Sequence, residues 1–387
     1  MPKPLKFIID NSLLLVAGTL LALVWANIDA DSYNHLAHAI HFAVNDIGMV
    51  FFFALAAKEV FEATLPGGAL SSPRQAAVPL FAAVGGMIAP AGLFLILVSM
   101  TGLDGLHRGW AVPCATDIAF SYMAARMVFK PTDAAIPFLL LLAIADDALG
   151  LIVLAVFYPS KPLEVTILFV LLAAALAAAW FLWRRRTVSY WPYVIVAGGL
   201  SWVALYKGGV HPALALVPIV PFMPHAKRDL GIYAERESAL PDTLNRFEHE
   251  WKIPVQIILG LFGFANAGVP LSSVGPGTWI VLVSLVVGKP LGITVMTWLS
   301  ERIGFQRATG LTWKDVIVLG SIAGIGFTVA LFFATAAFRP GPILDQVKMG
   351  ALFSFVAAPI GVILGLLLRV GRNGSGRTGV DRSKAHA

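Results

Sequence analysis

Charge and cysteine are what this 387-residue sequence has least of. Only 13% of its residues are Asp, Glu, Lys or Arg, against about 25% in soluble domains, so the usual solvated charged surface is missing. A single cysteine, Cys114, excludes a disulfide framework and a zinc site built on thiolates. No Gly-rich phosphate loop stands in a strand-to-helix context, which removes nucleotide chemistry. No His/Cys cluster offers ligands to a transition metal. A net charge of +6 and a pI near 9.5 would suit nucleic acid. The basic residues, however, sit between apolar runs, where membrane topology accounts for them, so no nucleic-acid partner is expected.

What is abundant is hydrocarbon: 58% of the residues are hydrophobic and the mean hydropathy is +0.80. At about 20 apolar residues per crossing, twelve segments qualify, centred near residues 20, 53, 87, 117, 147, 173, 198, 216, 262, 288, 326 and 357. The seventh and eighth are short and flank the Gly-rich KGGVHPAL, which leaves their boundaries least defined. The basic and apolar N-terminus imitates a signal peptide, but Asp10 interrupts it and no A-x-A-like site closes it, so it reads as a first membrane helix. Residues 1–370 form one membrane domain, with 224–250 the longest polar connection, and 371–387 read as a disordered cytoplasmic tail. If both termini share one side, that side holds 22 Lys and Arg and the other holds five, which places both termini in the cytoplasm.

Two spans look broken. The fourth, GWAVPCATDIAF (109–120), carries Pro113 and the polar run Ala115–Thr116–Asp117; the eleventh, GSIAGIGFTVALFF (320–333), carries Gly320, Gly324 and Gly326 beside Thr328. Backbone groups freed there cannot be satisfied by lipid and must face protein or water. Six spans lie between these two, so they run in opposite directions, the pattern of an inverted-repeat transporter with a site at mid-membrane. Close helix packing would explain either span alone, but not a pair with Asp117 inside one of them.

The apolar runs also contain charge. Asp46, Asp117, Asp146 and Asp147 lie in or at the edge of spans, and Lys289 sits in VSLVVGKPLGI. Ionisable groups at membrane depth mark an ion path or proton relay, each with a partner. One lysine neutralises only one of the three deep carboxylates, so structural pairing does not account for the set. Asp146 and Asp147 are about 100° apart on a helix, so one can meet a cation on a neighbouring helix while the other faces a cavity. Side by side in low dielectric the two repel if both ionise, and hard oxygen ligands that exchange a proton for Na⁺ or Li⁺ fit that condition. Facing half-helix ends leave partial charges in the membrane that Asp117 can offset at N-termini and Lys289 at C-termini.

Several long motifs closely resemble the NhaA family of bacterial Na⁺/H⁺ antiporters: VPCATDIAF (112–120), AIADDALGLI (143–152), FGFANAGV (262–269), GKPLGI (288–293) and GIGFT (324–328). The likeness runs over nearly the whole chain. It implies an all-α polytopic membrane protein of twelve transmembrane helices with crossed, discontinuous helices 4 and 11. It implies that Asp147 is the principal Na⁺ ligand, with Asp146 its neighbour paired to Lys289, and that Asp117 and Thr116 lie at the helix crossing. It places Asp46 on or beside the periplasmic route, and a pH sensor at Glu59, Arg246, Glu248 and His249. His211 matches a position linked to pH response, although a hydrogen-bonded structural histidine would read the same. His249 among Glu248, Glu250 and Arg246 is equally compatible with a solvated charge cluster.

Three departures stand out. The charged run after the second span is reduced to EVFEA (59–63), leaving Glu59 without its usual basic neighbours. Residues 30–46 are too short for the β-hairpin that some members use to dimerise, so a homodimer stays open. Cys114 replaces a small apolar residue and reads as packing. His35, His38 and His41 recur at three-residue spacing and read as a solvated helix face rather than a metal site.

The expectation is therefore an inner-membrane antiporter, not an enzyme, that exchanges Na⁺ or Li⁺ for H⁺ and needs the lipid bilayer but no cofactor. A core of about residues 75–158 and 277–370 would rock against the remaining helices. The alternative is a sodium-coupled symporter of organic anions with a similar broken-helix core. An intramembrane aspartyl protease would need aspartates on separate helices with a GxGD context, which does not occur. A channel would need a ring of one charge sign.

Overall fold

The computed structural model describes residues 12–225 and 242–370, all of whose regular structure is helical. The tail 371–387 and most of the connection 224–250 lie outside the described residues. Six stretches are long and apolar enough to cross a membrane: Ala30–Thr64, Ala76–Thr101, Ala135–Phe157, Val165–Arg184, Pro276–Ile303 and Pro342–Leu368. A seventh consists of two helices bent by 49° at a short break, Trp313–Ala323 and Phe327–Ala337.

In chain order the α-helices are α1 (Leu13–Ile28), α2 (Ala30–Phe42), α3 (Met49–Thr64), α4 (Pro73–Thr101), α5 (Ile118–Arg126), α6 (Ala135–Phe157), α7 (Val165–Arg184) and α8 (Gly199–Gly208). They continue with α9 (Thr243–Ala267), α10 (Pro276–Val283), α11 (Lys289–Ile303), α12 (Trp313–Ile322), α13 (Phe327–Ala337), α14 (Pro342–Phe353) and α15 (Ala357–Leu368). Wide π-type turns join α2 to α3 at Ala43–Gly48 and α10 to α11 at Ser284–Gly288, so each pair runs on as one long rod. Residues 30–46, where a hairpin was judged too short to form, are helix and π-turn; His35 and His38 are exposed on it, while His41 bonds Asn45.

The segment expected as the eighth span differs. Residues 212–223 are a series of tight turns rather than an α-helix, with amide-to-carbonyl bonds mostly three residues apart, as from Leu214 to His211 and from Phe222 to Ile219. Pro212, Pro218 and Pro221 remove amide donors and stop the α-helical ladder from running through. The segment is nonetheless buried, with Ala213, Leu216, Ile219 and Val220 all inside. α9 is long, at 25 residues, but begins with a charged turn.

Small residues set the helix contacts. A Cβ on Gly85 of α4 would strike the Gly292 carbonyl of α11, and one on Gly292 would strike the Gly85 carbonyl, so the two backbones touch. α1 and α9 meet in the same way at Gly18 and Gly260. In lipid, where apolar burial gives helices no mutual preference, such close packing is what holds them together. It brings Lys289, the first residue of α11, against α4 and the break that precedes α5.

Candidate ion-binding site

Two interrupted segments meet at the centre of the molecule. After a short turn at Val112–Cys114 the chain runs extended through Ala115 and Asp117 before α5 begins. Its partner is the break between α12 and α13. The carbonyls left open at the end of α12 are taken by the first segment: Thr116 Oγ1 donates to Ala323 (3.2 Å), Ser121 Oγ to Ile322 (3.2 Å) and the Asp117 amide to Ile325 (2.6 Å). In return one Asp117 oxygen accepts the amide of Phe120 at the start of α5 (3.4 Å). The other accepts the amide of Thr328 at the start of α13 (3.2 Å) and the Thr328 hydroxyl. One buried carboxylate thus caps two helix N-termini, where the aligned peptide dipoles favour negative charge.

Lys289 plays the opposite part. Its ammonium, fully buried, donates to Asp146 Oδ2 at 2.9 Å and to the Cys114 carbonyl at the end of the short turn. The second Asp146 oxygen is buried and has no hydrogen-bond partner among the described residues. Asp147, one residue on, points another way: it is only partly buried and carries no protein hydrogen bond among the described residues. The pair therefore splits, one carboxylate neutralised by an ammonium and the other left open.

Asp147 borders two cavities of very different size. A cavity of 310 Å³ reaches it from the end of the molecule that carries Glu248, and Thr116, Asp117, Glu59 and Lys252 also line it. Beyond Asp147 and Asp146 lies a void of only 20 Å³, closed by Phe52, Phe53, Phe332 and Phe333. That void is large enough for about one water. The closure is an aromatic block: the Phe53 and Phe332 rings meet edge to face with centroids 4.9 Å apart, and His211 packs on Phe332 at 4.8 Å. The carboxylate thus faces a wide cavity on one side and a narrow, aromatic-walled void on the other.

The predicted residues fall into groups. Asp146, Asp147, Lys289, Thr116 and Asp117 come together around the breaks, and Glu59 and Glu248 join them on the larger cavity. Arg246 does not; it is exposed and pairs with Glu250 at 2.7 Å, and His249 is exposed beside it. Asp46 lies three to four turns before Glu59 along the same rod, its carbonyl accepting the Trp202 indole (2.8 Å). His211 is behind the aromatic block, with Nδ1 accepting the Ala213 amide. Glu59 does have basic neighbours, contrary to the sequence expectation. Lys58 is buried between Glu62 (2.5 Å) and Glu248 (2.7 Å), and Lys252 lines the same cavity, so α9 supplies charge that the shortened run on α3 lacks. Sequence reasoning named Thr328 only as a neighbour of the glycines, without its hydroxyl's hold on Asp117, and passed over the reciprocal bonds of Asn45 to Asn266 of FGFANAGV (3.0 and 2.9 Å), for which a buried Asn in an apolar run was the signal.

The family described as Na⁺/H⁺ antiporter 1 matches residues 6–367, nearly the entire chain. This chain belongs to it. Among the relatives in the Na⁺/H⁺ antiporter 1 family, the Na⁺/H⁺ antiporter NhaA of Jannaschia sp. (strain CCS1) is 44% identical, with 94% of this chain and 98% of the relative aligned. The Na⁺/H⁺ antiporter NhaA 2 of Pelobacter propionicus is 46% identical over 96% of this chain and 99% of its own length. The fold is also similar to that of the solved sodium proton antiporter MjNhaP1 from Methanocaldococcus jannaschii, with a TM-score of 0.53 at 17% identity, covering 92% of this chain and 91% of that one.

Proposed function

We propose that this member of the Na⁺/H⁺ antiporter 1 family exports Na⁺ or Li⁺ across a bacterial inner membrane in exchange for H⁺, with Asp147 carrying proton and cation in turn. The observation that carries the reading is the Asp147 carboxylate: partly open, without a protein hydrogen bond, and at the floor of a cavity closed behind it. A Na⁺ ion entering that cavity meets Asp147, with Asp146 on the small void just beyond. Its positive charge then competes with Lys289 for Asp146, and the Asp146–Lys289 pair gives up a proton. A second proton leaves Asp147 itself, so more H⁺ than Na⁺ moves per cycle and transport is electrogenic.

In this reading the chain makes twelve crossings with both termini in the cytoplasm, and the two broken spans cross at Asp117. The cavity near Glu248 is the cytoplasmic entrance, and the Lys58–Glu62–Glu248 cluster with Glu59 tunes access with pH. Residues of about 75–158 and 277–370 move against the rest, carrying the site from one face to the other. The test is dissipation of a pH gradient by NaCl in everted vesicles between pH 6.5 and 8.5, with and without a voltage clamp. Sodium-driven dequenching that is lost in Asp147→Asn supports exchange at this carboxylate. A flat wild-type trace at every pH, with the protein folded and inserted, would overturn it and leave sodium-coupled uptake of an organic anion. Identical responses with and without the clamp would overturn the electrogenic step alone.

A further inference from the structure

A cavity of 1000 Å³ lies apart from the ion path, between the first turns of α4 and α6 and the chain that leaves α11. It shares no lining residue with either cavity at Asp147. Its chemistry is two-sided. Arg74 and Arg307 line it and no acidic residue does, while Val78, Phe138 and Leu141 supply an apolar portion. Arg74 is exposed and forms no ion pair among the described residues. Arg307 is held in place from two directions, its Nε donating to Glu301 and its guanidinium lying 4.1 Å from the centre of the Trp313 ring. Its Nη1 is buried, so it is the rest of the Arg307 side chain that lines the cavity.

The surroundings set the depth. Arg302 lies over Trp298 at 4.9 Å on the last turns of α11, so two Trp–Arg pairs stand beside the cavity. Trp gathers where hydrocarbon gives way to water, and Arg lays its stem on apolar surface with its head at that same level. Leu80 and Ile303, 39% and 59% exposed, continue an apolar surface away from it. A free anion would meet the arginines and leave the apolar portion wet; a neutral acyl chain would leave the arginines unmet.

We propose that this cavity binds an anionic phospholipid, its phosphate on Arg74 and Arg307 and its acyl chains along Val78, Phe138 and Leu141. The lipid would tie together the ends of α4, α6 and α11, of which α6 bears Asp146 and Asp147 and α11 bears Lys289.

The experiment is thermal unfolding of the purified protein in neutral detergent, titrated with phosphatidylglycerol, phosphatidylcholine or inorganic phosphate. The expected result is a saturable rise in midpoint with phosphatidylglycerol, a smaller one with phosphatidylcholine and none with phosphate. Arg74→Gln should need roughly fivefold more phosphatidylglycerol for the half-maximal rise, since one arginine near a lipid surface contributes about that factor. Arg184→Gln, which removes an exposed charge elsewhere, should titrate as wild type. Arg307→Gln should weaken the response too; if it does not fold, Arg74→Gln decides alone. No saturable rise in wild type, equal titrations of wild type and Arg74→Gln, an equal rise with phosphatidylcholine, or a rise reproduced by phosphate would each overturn the proposal.

Discussion

An ionised group inside a membrane needs either a partner or a task, and the neighbouring aspartates divide along that line. Asp146 has a partner in Lys289, whereas Asp147 has none and faces water. Removing Lys289 alone therefore leaves a buried carboxylate unpaired, a loss of about 3–5 kcal/mol by analogy with other buried pairs. Lys289→Met should lower the unfolding midpoint in detergent strongly, and adding Asp146→Leu should recover much of that loss without restoring exchange. If the double variant is no more stable than the single one, the pair is not what holds Lys289 in place. Asp147→Asn should behave in the reverse manner. Its unfolding midpoint should match or exceed wild type while vesicle exchange is abolished, because the side chain it replaces bonds to nothing in the protein.

Among the helices, α4 and α11 illustrate how packing reaches the site. Gly292→Ala puts a methyl into the Gly85 carbonyl and should destabilise by about 1–3 kcal/mol, whereas Gly92→Ala, on the same α4 with nothing within 4 Å, should be neutral or slightly stabilising. Equal unfolding midpoints for the two would rule out the close approach. At the breaks, Thr328→Val removes one of three groups that bond Asp117 and should cost less than Asp117→Asn, which weakens the capping of α5 and α13 together. The breaks and the deep charges were legible in the sequence because Pro113, the 320–326 glycines and the aspartates are costly among apolar residues. The eighth segment misled because its leucines and valines satisfy a hydropathy criterion while its prolines forbid the ladder. Lys58 escaped notice because its second partner, Glu248, arrives from α9 on a distant part of the chain. Thr328 was visible but its role was not, since a threonine in a helix has no fixed meaning until its neighbour is known.

At the scale of the whole molecule the site is wide on one side and pinched on the other. Val329 borders both cavities, so Val329→Cys in a Cys114→Ser background should react with a membrane-impermeant thiol reagent from the Glu248 face and not from the other. Phe332→Ala, which opens the aromatic block, should add reaction from the opposite face. Equal labelling of Val329→Cys from both faces would contradict the asymmetry. The narrowness of the 20 Å³ void has a further meaning for a cell that lives on its proton gradient. Protons travel along unbroken files of water, and a pinch with room for about one molecule, walled by phenylalanine, interrupts the file. A pinch of that size and lining should keep proton leak through the resting protein low even when its wide mouth is flooded.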